Sequence, residues 1–332
     1  MYRCFISLFC LVVLALIGVT KLQADGDSAS TQPKQRSFEF TYTASVNIPE
    51  GAHSAALWLP VPKSDAYQEI TGMRVNSSYP ISLYTDPEYN NSILHVAAKA
   101  PKAGLFSVEM TIQARRREHI NRPNVALKAS DADPIDPLMP RWLQPDKLVP
   151  INQRIRDLAA EITKGKNTEL EKARAIYDYA VTNLKYDKSG AGWGRGDIFF
   201  ACDEKRGNCT DFHALIIGLC RASNIPARFG MGFTIPNDKP EGQIAGYHCW
   251  AELYLNGIGW LPIDASEANK NPDKREYFFG AHDEHRVQFT IGRDIPLRPA
   301  HHSDPLNFFI YPYAEINEKP ATAEKKFSYK SL

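Results

Sequence analysis

The hydrophobic period of this chain changes once, and that change narrows the architectures open to it. Across residues 36–120 apolar side chains alternate with period two: Phe38, Phe40 and Tyr42, then Ala55, Leu57 and Leu59, then Val108, Met110 and Ile112. Turn clusters at Pro49-Glu50-Gly51, Asp86-Pro87-Glu88 and Asn90-Asn91 separate these runs. The pattern predicts an antiparallel, sandwich-like β-domain. Beyond residue 150 the period becomes helical. Ile151, Ile155, Leu158, Ala159 and Ile162 form one stripe; Thr168 and Glu171 make a capping-box start for a second helix through Leu170, Ala173, Tyr177, Val181 and Leu184. A third helix begins near Cys209, with Phe212, Leu215, Ile216, Leu219 and Cys220 on one face. Strand-like runs then return at 227–234, 247–255 and 258–264, the last two joined by the turn pair Asn256-Gly257. Helices first and strands second predict an α+β class, helices packed on an antiparallel sheet, rather than a doubly wound fold.

Prolines at 123, 134, 137, 140, 145 and 150 are too dense for regular structure. Residues 121–150 are therefore expected to be an extended connector between the β-domain at 36–120 and a second domain at 151–300. Residues 301–332 form a C-terminal extension, with a frayed tail beyond Glu315. At the other end, Met1-Tyr2-Arg3 precedes an apolar run from Cys4 to Val19, and Leu22 and Ala24 take the minus-three and minus-one positions of a cleavage site. Residues 1–24 thus read as a signal peptide. Cleavage yields a periplasmic or secreted protein with no integral membrane span; retention makes the run an anchor.

The 39 basic and 38 acidic residues give a net charge of +1, so no broad field exists to hold nucleic acid. Arg115-Arg116-Arg117 reads as a solvated strand end. Once the signal is removed, Cys202, Cys209, Cys220 and Cys249 remain. In an oxidising compartment four cysteines suggest two bridges; a catalytic thiol among them leaves room for one at most. A Cys202–Cys249 bridge is one option.

In "RGNCTDFH" Cys209 stands between Gly207 and an apolar helix. A thiol nucleophile must be ionised, and a helix N-terminus or a nearby imidazolium lowers its pKa. The same N–H groups can hold an oxyanion. Taken alone, such a cysteine is most simply a small buried side chain. His248 and Asp264, on the two runs about Asn256-Gly257, supply a base and a carboxylate to fix its tautomer. Register decides whether they meet. A two-residue loop sets Asp264 across from Cys249 and off the His248 face; a three-residue loop Asn256-Gly257-Ile258, or a bulge near Pro262, sets it across from Trp250 and on that face. One of the latter is expected.

The stretches "GNCTDFHALIIGLCRASNIPARFGMGF" and "YHCWAELYLNGIGWLPIDAS" resemble the transglutaminase-like superfamily. The shared pattern is a Gly-x-Cys entering a helix, a helix end Arg-Ala-x-x-Ile-Pro-Ala-Arg, a His-x-Trp-x-Glu strand and a Gly-Trp-x-x-x-Asp strand, over roughly residues 168–266. The resemblance implies a papain-like transglutaminase core behind the β-domain. It also implies Cys209 as nucleophile, His248 as base, Asp264 as orienter, and amide cleavage or transfer through a thioester on a protein or peptide substrate. Trp193 is the Trp shortly upstream of the cysteine, as in cross-linking members, at a closer spacing. Trp193, His213 and Trp250 are expected to line the substrate site. No metal or other cofactor is implied: nothing resembles the acidic calcium loops of the animal enzymes, and the Cys209–His213 spacing lacks zinc-site partners. His282 and His285, in "HDEHR", read as a solvated loop. The rival reading is a binding or scaffold module that keeps this fold without turnover.

Overall fold

A computed structural model describes residues 32–121 and 136–332. The proposed signal segment lies outside the described residues, as do residues 122–135 of the proline-rich run. Residues 33–332 gather into one compact unit. Among the described residues no helix is long and apolar enough to cross a membrane.

The alternating half folds as six strands, β1 Gln35–Ile48, β2 Ser54–Val61, β3 Gln68–Ser77, β4 Ile81–Thr85, β5 Ser92–Lys99 and β6 Gly104–Arg117, then a short β7 His119–Ile120. The helical half opens with α1 Gln153–Ile162 and α2 Glu169–Asn183, followed by β8 Lys185–Tyr186, α3 Ile198–Glu204, β9 Arg206–Gly207 and α4 Cys209–Ala222. Next come β10 Ala227–Thr234, β11 Glu241–Gln243, β12 His248–Leu255, β13 Gly259–Ile263 and α5 Ala265–Lys270. The last strands are β14 Ala281–His282, β15 Arg286–Ile291, β16 Tyr313–Ile316, β17 Lys319–Ala321 and β18 Glu324–Ser331.

Two five-stranded sheets, β11-β18-β1-β6-β3 and β17-β16-β2-β5-β4, make the sandwich-like part. A four-stranded antiparallel sheet, β13-β12-β10-β15, carries the helices. The class is α+β, as the period change predicts. Phe40, Phe233, Phe289 and Phe327 join the two parts in one aromatic cluster, with ring centroids 4.5–6.2 Å apart for the neighbouring pairs. Helix α4 packs against α1, α2, α3, α5, β10 and β12 and is buried on every side from Cys209 to Arg221, which is why its sequence is apolar around most of its circumference.

Three expectations need correction. The presumed tail is not frayed: β18 pairs with β1 along Phe38↔Ser331 to Ser45↔Glu324, burying Phe327 and Tyr329. Its lysines face outward and mask the alternation. Within the presumed extended connector, residues 141–143 form a 3₁₀ turn and Trp142 is fully buried, its indole N–H donating to Asp136 at 2.7 Å. The basic triplet is not wholly solvated either, since Arg116 points inward and is 2 % exposed. The short α3, capped by Asp197 accepting from Phe199 N–H, falls below the length at which periodicity is readable.

Candidate active site

Cys209 opens α4. Asn208 is the N-cap: its side chain accepts from Thr210 N–H at 2.9 Å, while Asp211 accepts back from Asn208 N–H at 2.9 Å, a capping box. Asp211 also accepts from Gly194 and Gly196 N–H at 2.7 and 3.0 Å, so one carboxylate fastens the glycine loop to the helix start. Gly207 has φ +151°, and a Cβ there would fall inside that carboxylate, so the residue before the cap must be glycine. Thr210 and Asn208 both meet the Tyr247 hydroxyl, at 2.7 and 3.1 Å.

The hairpin resolves the register. Leu255 pairs with Gly259 and Ala251 with Ile263, leaving the three-residue loop Asn256-Gly257-Ile258; one more step sets Asp264 level with Trp250. Gly257 has φ +75°, and Asn256 is tied to Glu169 at 2.8 Å. As a result His248 Nε2 and Asp264 Oδ2 lie 2.7 Å apart. That leaves Nδ1 of the imidazole unengaged by Asp264, and Cys209 and His248 shift each other's titration towards the charged forms.

The electrostatics favour an ion pair. Burial alone pushes the Cys209 thiol up, but the neighbouring Cys249 and the charge of His248 outweigh it and hold the thiol well below its ordinary range. Burial alone pulls His248 down, yet Asp264 and Cys209 raise it to about 10. Asp264, pushed up by burial, is held well below the carboxylate range by His248 and Arg286, the latter donating from 3.1 Å. It also accepts from Glu267 N–H at 3.0 Å as N-cap of α5.

Other expected site residues are placed differently. His213 and Trp250 are both 0 % exposed, so neither presents a face to a substrate. His213 is kept neutral by burial and accepts from Ala265 N–H at 3.2 Å, a bond that positions the start of α5 next to Asp264. Trp250 lies against Gly230, where a Cβ would strike the indole nitrogen, and its ring stands 6.0 Å from that of His248. Trp193 is part-exposed, and its indole N–H is taken by Gly190 O at 3.1 Å. The four described cysteines are all free, so no Cys202–Cys249 bridge forms. Alternation does send Cys249 away from the His248 face, but that side meets α4. Its sulfur lies 3.7 Å from His213 Nδ1 and 4.0 Å from Thr210 Oγ1, both on α4. Burial and the Cys209 charge push this second thiol well above its ordinary range, making it a donor rather than a nucleophile.

Asn208, Tyr247 and Arg286 were not singled out from the sequence, and Cys249 only as half of a bridge. The Asn-x-x-Asp spacing around Cys209 carried a capping signal for the first; the others depend on long-range packing.

Residues 156–265 match the model of the transglutaminase-like superfamily. An uncharacterised protein of Haemophilus influenzae is 27% identical over 88% of this chain and 89% of its own length. YebA of Bacillus subtilis is 28% identical over 40% of this chain, a stretch that spans 20% of that protein. Among solved structures, one from Cytophaga hutchinsonii named "putative cysteine protease" superposes with a TM-score of 0.61 at 18% identity, covering 91% of this chain and 92% of that one. At that identity the likeness concerns the fold. Motif order, sheet and helix arrangement and family match agree: residues 156–265 are a domain of the transglutaminase-like superfamily.

Proposed function

We propose that this chain is an exported cysteine enzyme that cleaves or transfers peptide or glutamine-amide acyl groups through a thioester on Cys209. The observation that carries the reading is the 2.7 Å contact of His248 with Asp264, with His248 in turn drawing the Cys209 thiol towards the thiolate. In this scheme the Cys209 thiolate attacks the amide carbonyl carbon. The oxyanion faces the Cys209 N–H at the start of α4, the Thr210, Asp211 and Phe212 N–H groups being taken by Asn208. As the C–N bond breaks, His248 gives its proton to the leaving amine. Water or a primary amine then attacks the thioester, with His248 taking its proton and Cys209 leaving as thiolate. Asp264 holds the imidazole in one tautomer throughout. The signal-like segment at residues 1–24 supports action in the periplasm or outside the cell.

The test is incubation of the protein with a casein-type substrate, with and without a labelled primary amine, followed by mass spectrometry. Backbone cleavage, deamidation or amine incorporation each identifies the acyl acceptor. Cys209→Ala is expected to remove all three, and a variant that still turns over would exclude Cys209 as nucleophile.

A further inference from the structure

A second buried polar cluster lies on the face of β12 that begins with His248. Two residues past Trp250 on that face comes Glu252, and beside it stand His119 of β7 and His282 of β14, which are paired directly across their two-stranded ladder. One ligand-type atom from each of the three lies within 4.8 Å of the other two. The exposures are 2 % for His119, 0 % for His282 and 6 % for Glu252. The HDEHR segment is thus not a solvated loop at His282. None of the four ring nitrogens of these two histidines has a hydrogen-bond partner; His119 Nδ1 is 3.6 Å from Glu252 Oε1, too far for a good bond. Buried imidazoles ordinarily find partners, and two orphaned together facing a carboxylate point to a missing ligand.

We propose that His119, Glu252 and His282 form a binding site for one divalent transition-metal ion of the zinc class. Two imidazoles and a carboxylate are a donor set for such ions and leave a coordination position open. Arg228 donates from Nε to Glu252 Oε2 at 2.6 Å, which orients the carboxylate and turns Oε1 toward His119, the role an outer partner plays at metal sites. A route in from solvent exists: His119, Glu252, Tyr67 and Trp260 line a cavity of about 550 Å³. Tetrahedral zinc with bonds near 2.0–2.1 Å requires ligand atoms roughly 3.4 Å apart, so the cluster contracts on loading. Arg116 and Arg228 border the same cavity, and their charge opposes any cation. The site therefore selects an ion with strong imidazole affinity over calcium or magnesium, which need several oxygen ligands. Bound there, the ion clasps the segment after β6 and the β14 segment to the strand that carries His248. This inference does not depend on the reading of Cys209.

The experiment uses the full chain stripped with chelator and titrated with Co(II), then with Zn(II). The expected result is one equivalent of Co(II) with a tetrahedral-type visible spectrum lacking a thiolate charge-transfer band, displaced by Zn(II) and accompanied by a rise in melting temperature. Cys209→Ala binds like the parent, while His282→Gln and Glu252→Gln weaken binding at least tenfold and lose the melting shift. X-ray absorption on the Zn-loaded parent, which needs no variant to fold, is expected to show two imidazole ligands and no sulfur. Failure to bind either ion at 100-fold excess, a sulfur ligand, or binding lost with Cys209→Ala would overturn the proposal.

Discussion

His248 and Asp264 meet at 2.7 Å because the loop between their strands holds three residues. A loop of two would turn the carboxylate to the opposite face. Asp264→Asn keeps the shape and an α5 cap but removes the charge that holds His248 up. We expect turnover to fall roughly 10³-fold or more, with the His248 imidazole titrating at lower pH by NMR. Turnover within tenfold of the parent would remove Asp264 from the mechanism.

The pH dependence follows from the signs of the two shifts. A thiol held low stays ionised as pH falls, and an imidazole held up to about 10 stays protonated as pH rises. Alkylation of Cys209 by iodoacetamide should therefore proceed at a constant rate across neutral pH and decline only on the acid side. Turnover should decline above about pH 10, as His248 loses the proton it gives to the leaving amine. An alkylation rate that climbs tenfold per pH unit up to about 8.5 would identify an ordinary thiol instead.

Cys249 neighbours the Cys209 thiolate, which helps to hold it protonated, and it lowers the Cys209 thiol in return. Cys249→Ala is expected to move the acid limb of the alkylation profile to higher pH. The parent Cys249 itself should resist alkylation, being 0 % exposed and held protonated. An unmoved acid limb would show that the second thiol does not tune the first.

Two glycines with positive φ make a matched pair. At Gly207 an added methyl collides with Asp211, whereas at Gly257 nothing lies within 4 Å. Gly207→Ala should cost roughly 2–4 kcal/mol in urea unfolding, and Gly257→Ala about 1 kcal/mol. Equal losses would mean that the Asp211 cap contributes little.

Much of the fold was legible in the sequence because periodicity and turn chemistry act locally. The Thr168–Glu171 capping box starts α2 as its spacing implies, and the β12–β13 hairpin adopts one of the two registers that let His248 meet Asp264. What local pattern does not carry is what packs against a face. Alternation placed Cys249 opposite His248, but not that α4 brings Cys209 to that same side. Likewise the burial of His213 and Trp250 depends on β10 and α5, and Arg286 reaches Asp264 from a strand 22 positions on. The β18 strand was hidden because Lys325, Lys326 and Lys330 dominate its composition while Phe327 and Tyr329 carry its burial.

The pairing of β18 with β1 has a consequence for how the molecule assembles. Phe38 and Ser331 can form their ladder only after nearly all of the intervening chain has emerged, and contacts of such separation close late and slowly. Until then β1 presents one open edge beside β6, a template for pairing with other chains. A chain threaded unfolded across a membrane from its N-terminus would thus be protected from premature closure, and it would need shielding from aggregation until its last strand arrives.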